Sequence, residues 1–133
     1  MRVLLDTNVL VAAIAADGLC RNLVRVRIQT HTLIFSKRLA REFEKTMREK
    51  FGLDANDLPV WTLLKERMEW VQPRALAEPV CRDADDDWVL ATAEAGKAEV
   101  IVTGDQDLQV LKEHEGVQIM SPRDFLRQLD KDT

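Results

Sequence analysis

Two short apolar runs along the chain lead into an aspartate. Val3-Leu4-Leu5 leads into Asp6-Thr7-Asn8, and Val100-Ile101-Val102 leads into Thr103-Gly104-Asp105. A run of this length without polar alternation reads as a strand buried on both faces, as in a parallel sheet. Around these runs the pattern alternates strand and helix. Residues 2–5 form the first strand, followed by helices over 7–16 and 19–29 and a strand over 32–35. Ser36 caps a helix over 37–50, in which Leu39, Phe43 and Met47 recur one turn apart and which Gly52 closes. A helix over 57–68 buries Val60, Trp61, Leu64 and Met68, and residues 69–72 form a strand stopped by Pro73. A loop over 74–85 precedes an apolar helix over 86–95, which Gly96 ends in the left-handed conformation. Then come a strand over 99–102, a short helix over 105–113 and a strand over 117–119. The last helix opens with Ser121-Pro122-Arg123-Asp124, a pattern like a capping box. The end at 131–133 is expected to fray. Trp61, Trp70 and Trp88 read as core.

Five strands separated by helices predict an α/β fold with a mostly parallel sheet and helices on both faces. The 133 residues suffice for one domain with its own core, and no repeat or linker argues for a second. No apolar stretch approaches the ~20 residues that span a bilayer, and the chain enters its first strand without a signal-peptide pattern. Cys20 and Cys81 are isolated, as are His31 and His114, so neither a disulfide framework nor a zinc site is expected. A cytoplasmic protein without a membrane partner is the expectation.

The net charge of −4 conceals an asymmetry. Residues 1–67 carry 12 Lys/Arg against 8 Asp/Glu, and residues 68–133 carry 7 against 15. Nine of the basic residues fall within 21–50. They read either as solvated helix faces or as a cationic rim beside an anionic pocket, a layout suited to holding a polyanion through its phosphates.

The acids carry the chemistry. Asp6 and Asp105 stand where strands end, the edge at which open α/β sheets place their ligand sites. Each also precedes a helix, so capping explains either one equally well. The run Asp83, Asp85, Asp86, Asp87 is more pointed, since a helix start needs one acid. At ~4 Å and an effective dielectric of ~20, a like-charged pair costs about 4 kcal/mol before solvent and protonation relieve it. A divalent cation is one way to offset that repulsion; full exposure is the other. Asp87 ranks first of the four because it directly precedes the apolar segment, and Asp86 ranks second. Glu42 and Glu44 flank the apolar stripe of the helix over 37–50, and periodicity does not choose between them.

Taken together, Leu5-Asp6-Thr7-Asn8-Val9-Leu10, Arg41-Glu42, Asp87-Trp88-Val89-Leu90-Ala91-Thr92-Ala93 and Val102-Thr103-Gly104-Asp105-Gln106-Asp107-Leu108 resemble the PIN-domain family, and more narrowly the VapC-like toxins of prokaryotic toxin–antitoxin systems. The resemblance implies a three-layer α/β/α fold with a five-stranded, mostly parallel sheet. It implies a metal-dependent endoribonuclease of single-stranded or loop RNA, with Asp6, Glu42, Asp87 and Asp105 as catalytic residues and metal ligands. Asn8, Thr103, Asp86 and Asp107 fall in supporting positions. Oxygen donors without thiolate favour Mg²⁺ or Mn²⁺. A cognate antitoxin and a homodimer are the implied protein partners. Two rival readings are a catalytically silent binding module of the same fold and a haloacid-dehalogenase-like phosphatase. The phosphatase chemistry wants a second aspartate two residues after the first, where this chain has Asn8.

Overall fold

The computed structural model describes residues 1–16 and 18–131. Of the end expected to fray, Lys131 instead closes the last helix, and Asp132 and Thr133 lie outside the described residues. The strands are β1 (Arg2–Leu5), β2 (Thr32–Phe35), β3 (Met68–Trp70), β4 (Val100–Val102), β5 (Glu113–His114) and β6 (Val117–Met120). The helices are α1 (Thr7–Ala15), α2 (Leu19–Arg25), α3 (Lys37–Phe51), α4 (Pro59–Arg67), α5 (Ala84–Ala95), α6 (Gln106–Gln109) and α7 (Pro122–Lys131). Short 3-10 turns at Arg27–Thr30 and Ala55–Asp57 complete the order.

The six-stranded sheet runs β3-β2-β1-β4-β6-β5, parallel except for β5. The anticipated sheet of five thus gains one two-residue edge strand. Its hairpin turns on Glu115 and Gly116, both at positive φ (48° and 83°), a pairing that suits the right-handed twist of the flanking strands. The central strands are dry. Leu4, Ile34, Ile101 and Val102 are fully buried, which is why they lack polar alternation.

Helices cover both faces of the sheet. In β2, Phe35 packs edge-on against Trp61 of α4 with ring centroids 6.3 Å apart. Its neighbour Ile34 points the other way, to where a Cβ on Gly96, just after α5, would lie 2.2 Å from its Cγ2. Gly96 itself has φ −93°, so the expected left-handed ending is wrong there; Lys97 takes the positive φ of 51°. Glycine occupies position 96 because Ile34 leaves no room for a side chain. Gly52 does end α3 in the left-handed conformation, at φ 64°.

Two further expectations are corrected. Helix α5 starts at Ala84 with Asp83 as its cap, the carboxylate accepting from the Asp85 amide at 2.9 Å. Among the tryptophans only Trp61 is fully buried; Trp70 is 38% exposed and Trp88 is half-buried beneath the Arg38 guanidinium.

Candidate metal centre

The parallel register aligns the ends of β1 and β4, with Leu5 opposite Val102. Asp6 and Thr103 therefore leave the sheet side by side. Asp6 is 4% exposed, and its carboxylate is held from three directions. It accepts from the Thr7 amide at 2.7 Å, the Thr103 hydroxyl at 2.7 Å and Asn8 Nδ2 at 3.2 Å. Burial pushes its pKa up, and these donors counter the push. Asp6 thus caps α1 and faces the pocket at once. Thr103 links the two strand ends, since its hydroxyl oxygen also accepts from the Asp105 amide at 3.0 Å. Asn8 ties α1 to the same turn by accepting from the Gly104 amide at 3.0 Å. A residue the sequence did not single out, Gln109, donates to the Thr103 carbonyl at 2.6 Å and steadies that turn from α6.

A cavity of about 350 Å³ opens beside Asp6, lined also by Asn8, Glu42, Asp83, Asp85, Asp86 and Asp105, with Lys50 at its rim. Glu42 arrives from α3, where it accepts from the Thr7 hydroxyl at 3.4 Å. Partial burial, followed by the charges of Asp6 and Asp85, raises its pKa to about 7. Asp86 arrives from α5. Burial and then the nearby Asp105 raise its pKa to about 7 as well. Oxygens of Asp86, Asp105 and Asp107 all lie within 4.8 Å of one another. Asp107 sits at the margin of this group, pairing with Arg82 at 2.9 Å; Asp105 caps α6 through the Asp107 amide at 2.8 Å.

Asp87 is the exception among the expected ligands. Its carboxylate accepts from the backbone amides of Cys81 at 2.8 Å and Val80 at 3.2 Å, so it pins the preceding loop and lines none of the acidic cavity. Asp86 occupies the place anticipated for it. The buried residues of α5 are Asp86, Val89, Leu90, Ala91, Thr92 and Ala93. Asp86 lies in line with Val89, Leu90 and Ala93 at helical spacing, and Asp87, about 100° round the helix, turns to the Val80 and Cys81 amides. In the sequence the same spacing joins Asp87 to Leu90 and Ala91, so periodicity does not choose between the two acids; the loop amides that hold Asp87 do. Thr7 was also passed over, its short side chain hidden behind its role in the first turn of α1.

The donor set suits a hard divalent cation. It consists of carboxylate oxygens, it lies at the carboxyl edge of a parallel sheet, and two of its members, Glu42 and Asp86, are pushed up by burial and then by neighbouring carboxylates. A second cavity, between residues 72–77 and α5, holds Glu94 as its lone acid and gathers no such set.

The fold is similar to that of solved bacterial structures. VapBC2 from Rickettsia felis, bound to a DNA fragment from its promoter, matches with a TM-score of 0.59 at 15% identity, covering 90% of this chain and 97% of that one. VapBC-1 from nontypeable Haemophilus influenzae matches with a TM-score of 0.59 at 17% identity, covering 92% and 99%. No curated protein sequence matches the chain. The PIN domain family model matches residues 2–107, a span that runs from β1 to the far side of the pocket and includes each of its acids. The chain belongs to the PIN domain family.

Proposed function

We propose that the protein is a metal-dependent endoribonuclease acting on single-stranded or loop RNA, and the toxin of a toxin–antitoxin pair. The observation that carries this reading is the meeting of Asp6, Glu42, Asp86 and Asp105, from four separate elements, in one pocket. Such a pocket repels phosphate unless a cation neutralises it. Asp6, Asp86 and Asp105 would hold Mg²⁺ or Mn²⁺, with Glu42 on the α3 side; Asp107, with an oxygen within 4.8 Å of those of Asp86 and Asp105, is an additional donor. When bound, the ion supplies Lewis-acid neutralisation of the charge that develops on the scissile phosphate. Thr103, Asn8 and Thr7 keep the Asp6 carboxylate aimed into the cavity, and Thr7 orients Glu42. Asn8, engaged with both Asp6 and Gly104, has no proton to lend as a phosphatase acid would.

Purified protein incubated with mixed RNA is expected to cut it with Mg²⁺ or Mn²⁺ and to be silent in chelator. Asp6→Asn should keep the far-UV circular dichroism and lose more activity than the ~10–100-fold typical of removing an outer-shell partner. Turnover of small phosphomonoesters without RNA cleavage would replace this reading with a phosphatase; metal binding without turnover would leave a silent module. The similarity of fold to two VapBC structures supports a cognate antitoxin as partner. Co-purification with the product of an adjacent reading frame tests that, and a sizing measurement tests the proposed homodimer.

A further inference from the structure

A third cavity, of about 500 Å³, lies on the same sheet edge and is lined by Lys37, Arg38, Arg41, Trp70 and Gln72 among others. Its charge is the opposite of the metal pocket's. All three cations are exposed, and among the described residues none of them makes an ion pair. They are crowded into the first two turns of α3, where the helix dipole is already positive and like charges at these spacings repel. Arg38 is laid over the Trp88 ring, its guanidinium carbon 4.3 Å from the centroid, which holds its charge in place at the cavity.

Trp70 supplies the second, independent observation. A tryptophan left 38% exposed is usually mobile on its free side, yet this one is fixed. Its indole N–H donates to the Lys65 carbonyl at 3.1 Å, and its ring meets Phe35 edge-on at 6.0 Å. A rigid aromatic face beside unpaired cations is the combination that single-stranded nucleic acid uses, one for the base and the other for the phosphates. The register places it well. Phe35 pairs with Trp70, and β2 lies beside β1, so Trp70 stands two strands from the end of β1, roughly 10 Å at ~4.8 Å per strand. About three nucleotides cover that distance even at the ~3.4 Å rise of a stacked strand. Arg41 and Glu42 are adjacent on α3, so one helix borders both cavities.

We infer that this cavity is a nucleotide-holding subsite. A base of single-stranded RNA stacks on Trp70, its flanking phosphates lie against Lys37, Arg38 and Arg41, and the strand is thereby delivered to the acid pocket. Trp70 is a positioning residue in this scheme, which rests on the ribonuclease reading for its substrate.

The test uses the full-length protein in chelator, so that binding is read without cleavage, with labelled single-stranded oligoribonucleotides as probe. Binding should quench tryptophan fluorescence. Trp70→Leu should abolish most of the quenching and weaken binding roughly 10-fold. The double variant Arg38→Gln/Arg41→Gln, at exposed positions, should lower the slope of log affinity against log salt by about 1.4. With metal restored, both variants should raise KM while kcat stays within about two-fold. Unchanged affinity and salt slope in both variants would overturn the subsite, as would polyglutamate competing as well as the oligonucleotide. Should Trp70→Leu fail to fold, the arginine variant decides alone. A wild-type protein that binds and quenches but never cuts would keep the subsite and remove the nuclease; one that cuts equally with both variants would do the reverse.

Discussion

At the scale of single residues, the adjacent pair Asp86 and Asp87 separates chemistry from architecture. They are equivalent in composition, but one faces the pocket while the other accepts from the Val80 and Cys81 amides. Asp86→Asn is expected to abolish metal-dependent cleavage and to leave stability equal or higher at neutral pH, since a carboxyl whose pKa is raised to about 7 is costly to ionise there. Asp87→Asn should do the opposite. It weakens two charge-assisted hydrogen bonds, costing about 1–2 kcal/mol, and leaves cleavage within a few-fold. Parallel thermal melts and RNA cleavage assays on the two variants check this; equal loss of activity in both would return Asp87 to the site. The sequence alone favoured Asp87 because it directly precedes the apolar segment, and the resemblance placed the third acid there too. Asp6, Asp105 and Thr103 were legible because a strand end fixes the direction of its last side chain, whereas adjacent residues of a helix diverge by about 100° and choosing between two neighbouring acids needs the packing around the helix.

At the scale of elements, legibility followed burial. Strands β1 and β4, covered on both faces, announce themselves as unbroken apolar runs. Strand β5 has two residues, neither apolar, and exists through the turn at Glu115-Gly116 and its pairing with β6; no periodicity can reveal it. The exposed Trp70 was misread because aromatic residues default to the core, while its position at the outer strand β3 leaves one face uncovered. The junction of α5 with β2 is testable. Gly96→Ala places a methyl 2.2 Å from Ile34 Cγ2, and a β-branched side chain in a strand has little freedom to swing aside. The expected loss is about 1–3 kcal/mol, which at this chain length lowers Tm by several degrees. Ile34→Leu removes the opposing branch, so Gly96→Ala/Ile34→Leu should recover part of that loss in a thermal melt. A double variant no more stable than Gly96→Ala alone would mean that the contact with Ile34 is not the reason for glycine.

At the scale of the whole molecule, the pocket couples folding to protons and to cations. Glu42 and Asp86 titrate near 7 in the folded protein, against ordinary values of 4.5 and 3.8, so between these limits the native state binds more protons than the unfolded chain. Stability therefore falls as pH rises through this window. The contribution is fully present below about pH 4 and is lost once pH passes about 7. Other groups add their own terms, so the diagnostic is the difference made by a cation. A divalent ion competes with protons for the same oxygens and stabilises only the folded state that assembles them. Millimolar Mg²⁺ or Mn²⁺ should raise Tm clearly at pH 8 and hardly at all at pH 5, whereas an equal ionic strength of NaCl should do neither. In Asp86→Asn the pH 8 increment should shrink to a small fraction. An increment of the same size at both pH values, or one that survives Asp86→Asn, would place the cation elsewhere on this acidic surface and detach the pocket from metal chemistry.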